Sequence, residues 1–322
     1  MYVLGLQGSP RKKGNTSLLL SAYLEEAERR GAHIKYLEVV KKNISGCKEC
    51  GTCEKKGYCP IDDDMQKIYP LLRRADIVVM ATPVFFYGPT AQLKALIDRS
   101  QALWARKYTH GLTDPGRKWR RGFVISVGAT KGKNLFEGVN LTAKYFFDAV
   151  GADFAGSLAY SRIEGAGDIK NHPTALADAA REAKELVDPF LKRKKILFVC
   201  TENACRSQMA SAFARFYAGD RIEAESAGSE PADKINPVME KVMGEKGIDM
   251  AYRRPKSLDQ IDPGWKPDLI VSMGCEDACP LFPGVPNEEW DLEDPAEKPV
   301  EFMREIRDRV EKKVKELIAG LD

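Results

Sequence analysis

Four short apolar runs, at residues 2–7, 34–40, 76–81 and 123–127, read as buried strands. Between and after them the apolar positions recur with the 3.6-residue rhythm of helices, at 16–29, 90–104 and 141–150. A fifth strand is expected near 154–160, followed by a helix at about 174–191. Strand–helix alternation of this kind predicts a parallel sheet with helices on both faces. The pattern restarts after Lys192-Arg193-Lys194-Lys195, with a strand at 196–199, a helix at 206–217, strands at 223–226 and 269–273, and a long amphipathic helix at 300–318. No fixed-period repeat suggests a solenoid. The expected fold class is therefore α/β, as two doubly wound parallel-sheet domains over residues 1–191 and 195–322, with the boundary between Pro189 and Lys195.

Composition narrows the class without changing it. A chain of 322 residues exceeds one typical domain core, so two domains are the default. Fifty basic against 47 acidic residues leave a net charge of +3, too little to argue for nucleic acid or a membrane surface as partner. The basic run at 193–195 reads as solvated linker. The N-terminus lacks the basic and small-residue features of a signal peptide, and no stretch approaches the ~20 apolar residues of a spanning helix. A cytoplasmic protein is expected. In a reducing compartment the eight cysteines point to metal binding and thiol chemistry rather than a disulfide framework. The three histidines, His33, His110 and His172, lie far apart in the sequence and argue against a histidine-rich metal site.

Candidate chemistry begins directly after the first strand. Gly8-Ser9-Pro10-Arg11-Lys12-Lys13-Gly14-Asn15-Thr16-Ser17 puts hydroxyls, backbone N–H groups and an arginine at a helix N-terminus, which suits a phosphate. A plain capped helix start is the alternative. A second segment, Ala81-Thr82-Pro83-Val84-Phe85-Phe86-Tyr87-Gly88, sets aromatics at the carboxyl end of a parallel strand, where open α/β sheets bind ligands. A third, Ser126-Val127-Gly128-Ala129-Thr130, lies at the corresponding end of the next strand. Together these segments resemble the flavodoxin-like family of NADPH-dependent FMN reductases and iron–sulfur flavoproteins, over about residues 1–191. The resemblance implies FMN, with its phosphate on Ser9, Arg11, Asn15, Thr16 and Ser17. It places the isoalloxazine against Pro83, Val84, Phe85, Phe86 and Tyr87 and the loop bearing Ser126 and Gly128. It is compatible with NAD(P)H as reductant and with a homodimer.

Cys47, Cys50, Cys53 and Cys59 crowd into thirteen residues. Thiolates three residues apart can curl round one cube of iron and sulfide, whereas zinc usually draws two knuckles from separate places. A 4Fe–4S cluster is the leading expectation, with zinc or inert cysteines behind it. Iron–sulfur flavoproteins carry a compact four-cysteine motif at this place, and Pro60 follows the last cysteine as in ferredoxin-type runs. Such a cluster would carry single electrons, which flavin converts into pairs.

The second half opens on Cys200-Thr201-Glu202-Asn203-Ala204-Cys205-Arg206-Ser207-Gln208-Met209-Ala210. Five backbone N–H groups between a cysteine and an arginine, after a strand and before a helix, can ring a tetrahedral oxyanion that the arginine clamps. The same features favour the Cys200 thiolate near neutral pH. A buried cysteine in a helix-capping loop is the bland alternative. The segment resembles the low-molecular-weight tyrosine phosphatase fold, nearest to thioredoxin-coupled arsenate reductases. Ser226-Ala227-Gly228-Ser229-Glu230-Pro231 matches the reductases, as does Cys275-Glu276-Asp277-Ala278-Cys279, since a phosphatase needs no thiols there.

The resemblance implies arsenate as substrate, with Cys200 as nucleophile in a loop completed by Asn203, Arg206 and Ser207. Cys275 would then form a disulfide with Cys200, Cys279 would take it over, and Asp294 would be general acid. Asp294 also fits a turn before Pro295. Three departures from the family pattern stand out. The spacing of Cys275 and Cys279 is short, Glu202 replaces a glycine, and Ser211 stands where an acidic residue often helps hold potassium, so that ion is not expected. Joined, the halves predict arsenate reduction with electrons from the fused FMN/4Fe–4S part, and a ferredoxin or thioredoxin-like donor is compatible. The rivals are a separate NAD(P)H:FMN or quinone-type reductase beside a protein tyrosine phosphatase, and a metal-sensing protein that lacks any basic recognition segment.

Overall fold

The structure is a computed structural model and describes residues 1–274 and 282–321. It divides into two compact units, Met1–Gly111 with Arg117–Leu191, and Leu112–Gly116 with Lys192–Asp322. The short segment joins the second unit through backbone bonds: Thr113 N–H donates to Gly247 O (2.7 Å) and Asp249 N–H to Thr113 O (2.9 Å).

The first unit is a five-stranded sheet in the order β2-β1-β3-β4-β5, every pairing parallel. Its strands are β1 (Tyr2–Gln7), β2 (His33–Glu38), β3 (Ile77–Pro83), β4 (Arg121–Val127) and β5 (Asp153–Tyr160). The central strands β1, β3 and β4 are buried almost throughout, as continuous apolar runs between two helical layers must be. On one face α1 (Asn15–Arg29) and α7 (Ala175–Leu191) pack Leu19, Leu20, Tyr23 and Leu24 with Ala179, Ala183 and Val187 against Val3, Val79, Phe123 and Ile125. The other layer holds α2 (Thr52–Lys56), α3 (Met65–Arg74), α4 (Ala91–Arg99), α5 (Gln101–Tyr108) and α6 (Glu137–Val150).

Three features depart from the sequence pattern, the first being α2, whose five residues are too short to show a period. The helix expected over 90–104 is two helices meeting at Ser100, whose hydroxyl back-bonds to Leu96 O at 3.1 Å and tightens the turn. The helix α3 was absent from the expectation because Pro70 sits inside it, where the missing N–H ordinarily ends a helix.

The second unit has a four-stranded sheet, β7-β6-β8-β9, again all parallel. It comprises β6 (Lys194–Cys200), α8 (Arg206–Ala218), β7 (Ile222–Gly228), α9 (Pro237–Glu245), β8 (Leu269–Met273), β9 (Asn287–Glu289) and α10 (Val300–Ala319). Ile196, Phe198, Met209, Phe213, Val242, Val271, Trp290, Ile306 and Val310 share one core cluster. Of these elements the sequence pattern missed α9 and β9. The start of α9 is nonetheless written in Asn236-Pro237: the Asn236 side chain accepts from Val238 and Met239 N–H, with proline at the first helical position. The strand β9 has three residues, all exposed, and so carries no apolar signal.

Candidate active sites

In the first unit, β1 lies between β2 and β3, so the chain leaves it in opposite directions on its two sides. Such a switch point is where open α/β sheets bind ligands, at the carboxyl edge. Three loops meet that edge in register, after Gln7, Pro83 and Val127. Gly8 is bonded across to Ala81 O through its N–H (2.8 Å), and its carbonyl accepts from Thr90 Oγ1 (2.6 Å). A Cβ at Gly8 would stand 2.7 Å from Leu93 Cδ2, so the close approach demands glycine.

The first turn of α1 has no side-chain cap and no acidic residue, a helix start that suits an anion. Thr16 Oγ1 is buried with no hydrogen-bond partner, an orphan a phosphate oxygen would satisfy. The other expected phosphate residues gather here but spend side chains on the loop itself. Ser9 Oγ accepts from Arg11 N–H (3.2 Å) and Ser17 Oγ donates to Gly14 O (2.8 Å). Asn15 Nδ2 donates to Gly165 O (2.8 Å), while its Oδ1 accepts from Gly167 and Ile169 N–H. Arg11 reaches Glu164 O at 3.0 Å. Asn15 is therefore a latch onto the loop after β5, a loop the sequence reading did not single out.

Beside this cradle, Phe85 and Gly88 exchange both backbone bonds, closing a tight turn whose central residues Phe86 (φ 50°) and Tyr87 (φ 63°) are left-handed. Glycine or asparagine normally fills such positions, so two aromatics there store strain. Phe85, Phe86 and Tyr87 are exposed rather than packed into the core. Val84 N–H donates to Val127 O (2.9 Å) and Ser126 Oγ to Thr82 O (3.0 Å), tying the aromatic loop to the end of β4.

Cys47, Cys50, Cys53 and Cys59 line one cavity of about 540 Å³ with Glu49, Arg99 and Ala102. Left-handed Glu49, Gly51 and Gly57 curl the chain round it. A hydrogen bond to Thr52 holds the Cys50 thiol below its ordinary range, while burial, reinforced by Cys59 and Cys47, raises Cys53. Among the described residues no group of three Cys, His, Asp or Glu side chains closes on a single metal ion. Beneath the loop lies a fully buried ion pair. Arg99 donates to Asp63 Oδ2 (2.6 Å), Ser45 O (3.0 Å) and Ile61 O (3.2 Å), and Asp63 Oδ2 also accepts from Ser45 N–H.

In the second unit the buried Cys200 ends β6, paired with Met273 of β8. Its sulfur lies 3.0 Å from Ser207 Oγ in the first turn of α8. Left-handed Asn203 (φ 50°) turns the loop and donates from Nδ2 to Ser207 Oγ (2.7 Å). Arg206 donates to Leu292 O (2.9 Å) and Asp294 Oδ2 (2.7 Å), and its Nε–H is buried with no partner. Asp294 Oδ1 meanwhile accepts from Ala296 N–H (2.9 Å), so this aspartate is both turn residue and partner of Arg206. Burial, with the charges of Cys200, Asp294 and Glu202, pushes the Cys205 thiol up to about 12. Thr201 Oγ1 donates to Gly274 O at 3.0 Å. Cys275 and Cys279 follow outside the described residues. Residues the sequence reading missed are Arg253 and Lys256, which reach Gln208 and Asn203 from distant segments, while Gln208, quoted in the motif, was given no site role although it bonds Asn203.

Each unit is thus a parallel-sheet domain with a loop at its carboxyl edge that leads into a helix, one with an uncapped helix start and one with a buried cysteine at the strand end. The family model described as NADPH-dependent FMN reductase matches residues 1–152, and that for low molecular weight phosphotyrosine protein phosphatase matches 195–322. An iron-sulfur flavoprotein of Methanosarcina thermophila is 37% identical over 131 residues, covering 41% of this chain and 65% of that protein. The chain spans less than two thirds of that flavoprotein's length. A putative arsenate reductase of Halobacterium salinarum is 37% identical over 130 residues, covering 38% of this chain and 89% of that protein. Among solved structures, an arsenate reductase in the phosphate binding state shares 33% identity, with 40% of this chain and 99% of that one covered, at a TM-score of 0.36. Through its second unit the chain belongs to the arsenate reductase family of low-molecular-weight phosphatase type, and its first unit is similar to FMN reductases and iron–sulfur flavoproteins.

Proposed function

We propose that the chain reduces arsenate to arsenite through a cysteine cascade that starts at Cys200 and draws its electrons from the first unit. The observation that carries this reading is Cys200 in a loop where Ser207 meets its sulfur and Arg206 keeps one buried N–H unspent. That N–H is suited to an oxyanion, since a buried donor left unmade is costly. The Cys200 sulfur would bond to arsenic as one oxygen leaves as water, with Asp294 supplying the proton. Attack of the Cys275 thiolate on that sulfur would form a disulfide and return the S–As electron pair to arsenic, releasing arsenite. Cys279 would then displace Cys200, and the remaining Cys275–Cys279 disulfide takes two electrons and two protons. The pairing of Cys200 with Met273, and the bond from Thr201 to Gly274, bring the chain to the loop just before Cys275.

The orphaned Thr16 hydroxyl, the uncapped start of α1 and the close approach at Gly8 fit the phosphate of FMN, with the aromatic turn beside it for the ring. Bound there, FMN supplies electron pairs from single-electron or hydride donors. Four thiols lining one cavity fit a 4Fe–4S cluster, whose ligands stand further apart than those of a single ion. A ferredoxin- or thioredoxin-like protein is the alternative donor. The test is one turnover of the pre-reduced chain with arsenate. Cys200→Ser should abolish arsenite formation, and Cys275→Ser should halt after the first adduct. Aryl phosphate turnover that survives Cys275→Ser, with no arsenite from the wild type, would make the second unit a phosphatase instead.

A further inference from the structure

Asn203 and Ser207 form the near end of a longer hydrogen-bond chain. Arg253 Nη1 donates to Gln208 Oε1 (3.2 Å), Gln208 Nε2 to Asn203 Oδ1 (3.1 Å), and Asn203 Nδ2 to Ser207 Oγ (2.7 Å), which lies 3.0 Å from Cys200 Sγ. Gln208, Asn203 and Ser207 are almost wholly buried, so water cannot substitute for a lost link. An amide or hydroxyl chain can in principle run in either direction. This one cannot, because guanidinium has donors and no acceptor. The Gln208 atom facing Arg253 must be the oxygen, so its NH2 faces Asn203. That NH2 needs an oxygen on Asn203, so the Asn203 NH2 points at Ser207. Ser207 accepts there and has its own hydrogen free for the sulfur. The surrounding backbone agrees in sense: Arg254 O accepts from Gln208 Nε2 (3.2 Å) and Lys256 N–H donates to Asn203 Oδ1 (3.0 Å).

We propose that Arg253 is a positioning residue that, together with the Lys256 N–H, fixes the direction of this chain, so that Ser207 is held as a donor to Cys200. The proposal rests on the reading of Cys200 as nucleophile. Arg253 is clamped for the task by Ser211 Oγ (2.9 Å) and Gln208 O (3.3 Å). Burial and Arg215 act against its charge, Asp114, Glu225 and Asp249 support it, and an arginine stays protonated throughout the working range. Charged and titratable groups that face the loop include Arg206, Asp294, Glu202 and Cys205, and Lys256, whose N–H donates to Asn203 and whose Nζ pairs with Glu225. None of the first four makes a hydrogen bond to the amides of Gln208 or Asn203 in the bonds above.

The test is peptide-resolved iodoacetamide alkylation of Cys200 in the full chain from pH 5.5 to 9.5. The wild type should reach half its full rate at or below about pH 7. Arg253→Met should move that midpoint up by about one pH unit, a tenfold loss of reactive thiolate at neutral pH. Gln208→Met cuts the chain while keeping the guanidinium and should do the same, with Arg253→Lys restoring part. If Arg253→Met misfolds, Gln208→Met carries the test. A shift in Arg253→Met without one in Gln208→Met, or no shift in either, overturns the proposal and leaves the nucleophile in place. A wild-type midpoint above pH 8 overturns both.

Discussion

Gly274 shows how much one atom can matter at the nucleophile loop. Its φ of +65° is left-handed, and a Cβ there would stand 2.7 Å from Arg206 Nη1. Gly274→Ala should therefore displace the guanidinium from Leu292 O and Asp294 while sparing the core. We expect phosphate or arsenate affinity to fall by about tenfold, the equivalent of one charge-assisted bond, with the melting temperature lowered by a few degrees because alanine is strained at that φ. Competition by inorganic phosphate measures it, and unaltered affinity would show that Arg206 does not grip the anion. The residues of this loop were legible because the chemistry is contiguous: Cys200, Asn203, Arg206 and Ser207 span eight positions and share one strand–loop–helix unit. Arg253 and Lys256 were not, since they meet the loop across 45 and 53 residues of chain. The second task of Asn15 was equally hidden, since its side-chain amide is engaged 150 residues away at Gly165.

At the scale of elements, the strands and the long helices followed from apolar periodicity, and both sheets are parallel as expected. What periodicity could not show were α3, masked by Pro70, and β9, too short to alternate. Nor could it show how α10 is anchored. Glu311 on α10 is buried, yet it accepts from Tyr217 Oη (2.5 Å) and Lys315 (2.7 Å) and pairs with Lys246, and these bonds outweigh burial and hold its carboxyl at about 2. Glu245 is likewise held at about 2, chiefly by Arg304. Carboxyls depressed below their unfolded values stabilise the fold above about pH 4.3, and that contribution is lost as pH falls through the folded value. Thermal melts of the second unit should thus weaken steadily from about pH 4.5 towards pH 2. Glu311→Gln should lower the midpoint at pH 7 by about 4 °C and flatten the acid limb, and an unchanged limb would remove Glu311 from the account.

For the whole molecule, the question is whether the two units exchange electrons. If the first unit supplies the Cys275–Cys279 disulfide, arsenate added to anaerobically reduced protein should restore the oxidised visible spectrum without any other acceptor. Cys275→Ser should prevent that recovery. Recovery at the same rate in the variant would mean that the chromophores are oxidised by a route that bypasses the thiols.

The ion pair of Arg99 and Asp63 bears on how the four-cysteine loop is put together. It holds the chain at Ser45, two residues before Cys47, and at Ile61, two residues after Cys59, while Arg99 also faces Cys59 across the cavity. Removing one partner from such a buried pair costs about 3–5 kcal/mol, so both feet of the loop are planted by the fold itself. Whatever the thiols bind, they receive it between two ends of chain that the buried pair already anchors.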